Sequence, residues 1–396
     1  MPRGRRVLFY LATMLYWFSL YTYVPTLTPY VLRLGGTLAF AGIVVASYGF
    51  AQLLVRIPIG ILSDRLHNRK AFILGGISCG IISCVGFALT RDAGLALLWR
   101  GIAGIAAGSW VAFTVLYASS WPSADAPKAM GLISFYTSAA QMAAAALGGI
   151  SASWFGWHAP FWLGAIGGTL GLVFAAATVR EPRAGASSPP TVRGLLTLGR
   201  QWPLLSVSLL AVLAQSVTFT TLFGFTPLYA DHLGAHPAAL GLLTLVSTIP
   251  NAIAGYLCGS FLGRLINVRI IAALGFFIAS AGTLAIPLTH SLPALFATQA
   301  FNGFGQGLSM PILMGLAIAG VAVHQRATAM GFFQAIYSVG MVGGPLLTSF
   351  LGLQNGFVTM GCTSLVAGIL ALVWIRPTIA PTPAAPGTDA AKAAQS

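Results

Sequence analysis

The sequence predicts an all-α membrane protein, with twelve transmembrane helices in two pseudo-symmetric six-helix bundles. Three observations carry this. Hydrophobic residues make up 57% of the 396-residue chain and charged ones 7%, which leaves too little polar surface to coat a water-soluble globule. The apolar residues gather into twelve stretches, each close to the about 20 residues that cross the hydrocarbon of a bilayer. The second half also repeats the first at an offset of about 199. Residues 60–70 read GILSDRLHNRK and residues 259–269 read GSFLGRLINVR, with Gly60/Gly259, Arg65/Arg264, Leu66/Leu265, Asn68/Asn267 and Lys70/Arg269 in register.

The expected spans are 7–31, 38–62, 71–90, 94–119, 129–152 and 159–179, then 203–230, 238–262, 270–289, 292–320, 328–351 and 355–375. The first follows a basic head of Arg3, Arg5 and Arg6, as a secretory leader would. It has no small-residue cleavage site, and its apolar run continues to Tyr30, so it is expected to remain as a helix. The domains are therefore an N-terminal bundle, 1–179, and a C-terminal bundle, 203–376. Between them, residues 180–202 hold Pro182, Pro189, Pro190, Ser187, Ser188 and four arginines, the composition of an exposed cytoplasmic linker. Residues 377–396 offer almost nothing to bury and are expected to be a disordered cytoplasmic tail. The repeat extends further, since Thr28-Pro29 with Leu34-Gly35 answers Thr226-Pro227 with Leu233-Gly234, and Ala129-Met130-Gly131 answers Ala329-Met330-Gly331. Spans 1, 2, 4 and 5 thus pair with 7, 8, 10 and 11.

The net charge of +14 does not indicate nucleic acid, because the cations sit at the ends of apolar runs and not on one folded basic face. Sixteen of the 20 Lys and Arg fall on one side of the expected topology, and Arg33 and Arg91 on the other. Basic loops stay in the cytoplasm during insertion, so a multi-pass protein of the cell (inner) membrane with both termini cytoplasmic is expected. Cys79, Cys84, Cys258 and Cys362 lie inside apolar runs with no C-x-x-C pair, which reads as buried packing and gives no metal or redox site. No cofactor is expected. Among the 47 glycines many recur at four-residue spacing, as in Gly76/Gly80, Gly104/Gly108 and Gly340/Gly344, the pattern of close helix packing in lipid. Gly303, Gly305 and Gly307 follow no strand and make no phosphate loop.

A helix that lines a polar cavity should carry polar residues at three and four on one face. Span 10 does so with Gln299, Asn302, Gln306 and Ser309, which answer Arg100, Ala103, Ala107 and Trp110 of span 4. Span 1 offers Trp17 and Tyr21, span 2 Gln52 and Arg56, and span 7 Gln215. All six acidic residues, Asp64, Asp92, Asp125, Glu181, Asp231 and Asp389, fall in loops, helix edges or the tail, which disfavours an exporter of organic cations with an intramembrane acid. The two cations inside spans are Arg56 and Arg100. Arg56 precedes Asp64 by eight residues, roughly 12 Å along a helix, and so lies near mid-membrane. There an arginine costs about 2.5–3.5 kcal/mol on insertion scales unless it meets a wet cavity or a partner.

The loop GILSDRLHNRK resembles the cytoplasmic motif of the major facilitator superfamily, G-x-L-[A/S]-D-R-x-G-R-[R/K]. Gly60, Leu62, Ser63, Asp64, Arg65 and Arg69 match, while His67 and Asn68 depart. Arg100 with Gly104 resembles the family's R-x-x-x-G pattern on the fourth helix. The resemblance implies alternating access about a central site lined by helices 1, 4, 7 and 10, with Asp64 helping to lock the inner gate. Where antiporters of the family carry G-P-x-x-G-G on helix 5, this chain has Ala144-Ala145-Ala146-Leu147-Gly148-Gly149; helix 11 instead holds Gly340-Met341-Val342-Gly343-Gly344-Pro345. Gly60, Asp64, Arg65, Arg69, Gly104, Gly344 and Pro345 are the gating candidates.

The expected activity is that of a secondary active transporter for a small organic solute, anionic or zwitterionic, with export favoured by the resemblance and no enzymatic chemistry. The candidate binding residues are Arg56, Gln52, Tyr21, Trp17, Arg100, Trp110, Gln215, Gln299, Asn302 and Gln306. The expected partners are that solute, the lipid bilayer and, in a coupled mechanism, a proton; the chain is expected to act as a monomer. Two alternatives stay open: proton-coupled multidrug efflux, and a membrane sensor that binds without transporting.

Overall fold

A computed structural model describes residues 3–66, 68–118, 126–178, 199–258, 262, 265–319, 321 and 325–375. Most of the linker expected at 180–202 and all of the tail at 377–396 lie outside them. Twelve helical spans follow in order: α1 (Gly4–Arg33), α2 (Leu38–Arg65), α3 (Arg69–Leu89), α4 (Ala93–Tyr117), α5 (Ala126–Phe155), α6 (Ala159–Thr178), α7 (Trp202–His232), α8 (Pro237–Leu257), α9 (Val268–Leu288), α10 (Leu292–Ala319), α11 (Arg326–Leu351) and α12 (Leu353–Trp374). Ten are long and apolar enough by hydropathy to cross a membrane. The other two, α5 and α10, are 30 and 28 residues long.

The packing repeats with the sequence. In the first half α1 packs on α5 and α6, α2 on α4, and α3 on α4 and α6; in the second, α7 packs on α11 and α12, α8 on α10, and α9 on α10 and α12. Asn68 caps α3 by accepting from Ala71 N at 3.1 Å, and Asn267 caps α9 by accepting from Arg269 N at 3.1 Å. Tyr30 donates to the Thr90 carbonyl at 3.1 Å and Tyr229 to that of Thr289 at 3.0 Å. Gly35 and Gly234 end α1 and α7 at φ 85° and 83°, a conformation in which a Cβ would be strained. The Thr-Pro pairs fall one residue out of this register. Leu27–Arg33 and Thr226–His232 are equivalent seven-residue turns, but the second places Thr226 and Pro227 where the first has Leu27 and Thr28. Before them, α1 passes through a 3-10 turn at Val24–Thr26 and α7 through a π turn at Thr221–Phe225.

The halves meet through α2 on α11 and α5 on α8. The contacts concentrate at the end poor in basic residues. An added Cβ on Gly149 would lie 2.8 Å from the Pro237 carbonyl and 2.9 Å from Gly241 N, and one on Gly42 would lie 3.0 Å from the Pro345 carbonyl. Thr28 donates across the seam to the Gly224 carbonyl at 2.7 Å. Lipid gives apolar surfaces no reason to associate, so such backbone approach supplies the attraction through close van der Waals contact. Cys84 and Cys258 are buried as expected, whereas Cys362 is exposed, because α12 turns that face outward.

Candidate functional site

Asp92 starts α4 by accepting from Gly94 N at 2.6 Å, which sets Arg100 two turns into the span. Its side chain is 2% exposed. Nη1 donates to the Tyr23 hydroxyl at 3.1 Å, and the guanidinium carbon lies 4.1 Å from the centre of the Tyr48 ring. One turn on, Gly104 makes this possible, since an added Cβ there would lie 2.5 Å from the Tyr48 carbonyl. The R-x-x-x-G pattern thus has a physical meaning in this chain: the glycine admits α2, and α2 brings an aromatic face onto the arginine. A desolvated cation–π contact contributes about 2 kcal/mol.

Arg56 is held differently. It is 7% exposed, and Nη2 donates to Gln52 Oε1 at 2.7 Å one turn back along α2. Nε and Nη1 are buried without a hydrogen-bond partner. Neither Arg56 nor Arg100 pairs with a carboxylate among the described residues. Val55 packs on Gly108 of α4, so Arg56 lies at the level where α4 breaks. At the break the Ala106 carbonyl accepts from Ser109 N at 3.0 Å, Ser109 Oγ at 2.7 Å and the Tyr16 hydroxyl at 2.5 Å. Tyr16 is also within electrostatic reach of Arg56. Beside it, Trp17 is 7% exposed with Nε1 unpartnered, its ring 5.1 Å from Trp110 and 5.6 Å from Tyr21.

An aromatic seam joins these groups to the second half. Tyr21 meets Phe223 edge-on at 5.5 Å, and Tyr48 stacks on Phe219 at 6.2 Å. The sequence reading did not single out Phe219 and Phe223. Their four-residue spacing from Gln215 places them on its face of α7, and that spacing was the available signal. Gln215 itself is half-buried and makes no side-chain hydrogen bond among the described residues.

The polar residues of α10 look into their own bundle. Asn302 Nδ2 donates to Thr221 Oγ1 of α7 at 3.2 Å and Thr283 Oγ1 of α9 at 3.1 Å. Gln306 donates to Asn302 Oδ1 and accepts from Thr218 at 2.7 Å. Gln299, the counterpart of Arg100, donates to Thr298 at 3.3 Å and leaves its buried Oε1 without a partner. Arg56, Gln52, Trp17, Tyr21, Trp110 and Arg100 therefore share one region on α1, α2 and α4, while Asn302 and Gln306 bind α7 and α9.

Of the gating candidates, Gly60 has only Val111 near, at 3.7 Å from an added Cβ. Arg65 ends α2 and Arg69 opens α3; the side chain of Asp64 and all of His67 lie outside the described residues. Gly344 packs against the Ser216 backbone of α7, and Pro345 sits inside α11 facing Gly42 of α2.

Twelve spans in two repeated bundles, with two buried arginines that pair with no carboxylate among the described residues, define a membrane transporter. The family model of the Major Facilitator Superfamily matches residues 9–236 and 204–395, and the chain belongs to that family. It is similar to an uncharacterized MFS-type transporter of Methanocaldococcus jannaschii, at 23% identity over 89% of this chain and 93% of the relative. It is also similar to a protein described as a probable sugar efflux transporter of Helicobacter pylori, at 24% identity over 85% of each. Among solved structures it resembles a bacterial homolog of the human lysosomal transporter Spinster in an inward-facing, occupied conformation, with TM-score 0.77 and 18% identity over 96% of this chain and 100% of that one. A human organic anion transporter gives TM-score 0.65 and 18% identity over 94% and 100%.

Proposed function

We propose that this chain is a secondary active transporter that exports a small anionic or zwitterionic organic solute across the cell inner membrane by alternating access. Arg56 carries the reading. It is a buried guanidinium with two nitrogens unpartnered and no carboxylate paired with it among the described residues, and leaving such donors unmet costs about 1–3 kcal/mol each or more. A carboxylate or phosphate group meets them with charge-assisted hydrogen bonds. Gln52 orients Arg56, and Trp17, Tyr21, Trp110 and Gln215 are assigned to the same solute cavity. Arg100, Gln299, Asn302 and Gln306 shape the two bundles behind it.

The uneven split of Lys and Arg supports cytoplasmic termini, so the end that joins α1 to α2 and α7 to α8 faces out. Bundles bounded near 1–179 and 203–376 rock about this seam as a monomer, and Gly60, Asp64, Arg65, Arg69, Gly104, Gly344 and Pro345 set the positions of the moving helices. Export agrees with the efflux named for the relatives in Helicobacter. The test is counterflow of labelled organic anions in vesicles with the wild-type chain and with Arg56→Ala. Anion flux that falls at least about tenfold in the variant supports the reading. Flux of sugars or cations in its place, or anion flux indifferent to Arg56, removes it.

A further inference from the structure

We propose that the solute carries one oxyanion head on an apolar, ring-bearing body, the head on Arg56 and the body against Trp17, Tyr21, Trp110 and Phe223. This rests on the anion reading above and narrows it to single-headed amphiphilic carboxylates or sulfonates.

The two intramembrane arginines are not equivalent. Arg100 has its charge spread over the Tyr48 face at 4.1 Å and a hydrogen bond to Tyr23 at 3.1 Å, and it is 2% exposed. Only its Nε is buried without a hydrogen-bond partner. Arg56 gives one nitrogen to Gln52 and leaves two unmet, so the site offers one guanidinium to one head. A second oxyanion on the same solute would fall among aromatic rings, whose faces are electron-rich and repel it. The acidic residues within the spans, Asp64 and Asp231, stand in the last turns of α2 and α7, so an ammonium group on the solute has no mid-span carboxylate to meet it.

Rings lie close by: Tyr16, within electrostatic reach of Arg56, meets Trp17 and Trp110. Trp17 touches both Trp110 and Tyr21, and Tyr21 touches Phe223 across the seam, all with centroids between 5.1 and 5.6 Å. Tyr21, Trp110 and Phe223 are only partly buried, so they present faces to whatever occupies the space between the halves. Trp17 Nε1, buried and unpartnered, adds one donor within the ring cluster. A flat apolar body replaces ring–ring edge contacts with stacking and is drawn from water by its own area.

Thermal stabilisation of the purified full chain in detergent tests this with five probes: 3-phenylpropionate, propionate, 3-phenylpropionamide, phenylalanine and phthalate. The expected result is half-maximal stabilisation by 3-phenylpropionate at a concentration about 10- to 100-fold below that of each other probe. Arg56→Gln should erase the preference for the acid over the amide and leave the amide unchanged. The wild-type series decides the question even where that variant fails to fold. Propionate or phthalate matching 3-phenylpropionate, or no stabilisation by the ring-bearing acid, overturns the single-headed amphiphile while leaving an anion transporter. Preference for the amide over every anion overturns the anion reading itself.

Discussion

Arg33 and Asp231 join the two halves at their outer end through a two-pronged ion pair, Nη1 to Oδ2 and Nη2 to Oδ1, each at 3.1 Å. The guanidinium also lies 3.8 Å from the centre of the Trp157 ring, between α5 and α6. Any outward-open form must part this pair. Arg33 is 43% and Asp231 18% exposed, so water screens the attraction and the pair contributes about 0.2–1 kcal/mol. Arg33→Ala or Asp231→Asn should raise the ratio of outward-open to closed protein about 1.4- to fivefold. The measure is maleimide labelling from outside at Val45→Cys, with the four native cysteines replaced; Val45 is fully buried beside Gly224 of α7. Exchanging the two charges should restore the wild-type rate, and a rate unaffected by either single change would remove the pair from the gate.

The same assay separates a latch from a packing surface. Gly149 and Gly241 let α5 and α8 touch through their backbones, where an added Cβ on Gly149 would come within 3.0 Å of three backbone atoms. Gly149→Val should hold the outer end apart, at a cost to closure of about 1–3 kcal/mol, so the outward-open ratio should rise about fivefold to a hundredfold. Transport should fall with it, since the cycle then lacks a stable closed outer end. Normal labelling with normal flux would show that the seam tolerates the side chain.

The half-repeat was legible in the sequence because both halves solve the same packing problem with the same residues: Asn68 and Asn267 cap, Gly35 and Gly234 turn, and Gly104 and Gly303 admit the neighbouring helix. The intramembrane arginines were legible too, since a charge inside an apolar run stands out. Contacts between the halves were not. Arg33 and Asp231 are 198 positions apart, and only the pseudo-two-fold relation of the ends of α1 and α7 brings them together. For α10 the spacing of Asn302 and Gln306 fixes a shared face. It cannot say whether that face looks toward the other half or, as here, toward Thr221 and Thr283.

Asn302 ties α7, α9 and α10 with hydrogen bonds to Thr221, Thr283 and Gln306. Asn302→Ala removes these three hydrogen bonds and takes the partner of Gln306 Nε2, while Thr221 and Thr283 keep their bonds to the Val217 and Ala279 carbonyls. Interhelical hydrogen bonds in membranes average about 0.6 kcal/mol and reach about 1.7, so a loss of about 1–3 kcal/mol is expected. The melting temperature in detergent should drop by several degrees with ligand affinity nearly unchanged. A large loss of affinity at unchanged melting temperature would instead place Asn302 against the solute.

Gly60 and Gly104 both belong to motif positions, yet their surroundings predict opposite tolerance. At Gly60 an added Cβ meets Val111 at 3.7 Å, an ordinary contact, and Ala is the better helix former by about 1 kcal/mol. At Gly104 the Cβ would lie 2.5 Å from the Tyr48 carbonyl and 2.8 Å from Ala51, so α2 must move off α4 and take the Tyr48 ring from Arg100. Overpacking costs about 1–3 kcal/mol, and the lost cation–π contact adds up to about 2. Gly104→Ala should therefore lower the melting temperature of the detergent-solubilised protein, while Gly60→Ala leaves it equal or slightly raised. Adding Tyr48→Leu to Gly104→Ala separates the two costs. If the arginine–tyrosine contact is part of what the glycine protects, the double variant is less destabilised than the sum of the single ones, and strict additivity would mean that Gly104 acts through backbone spacing alone.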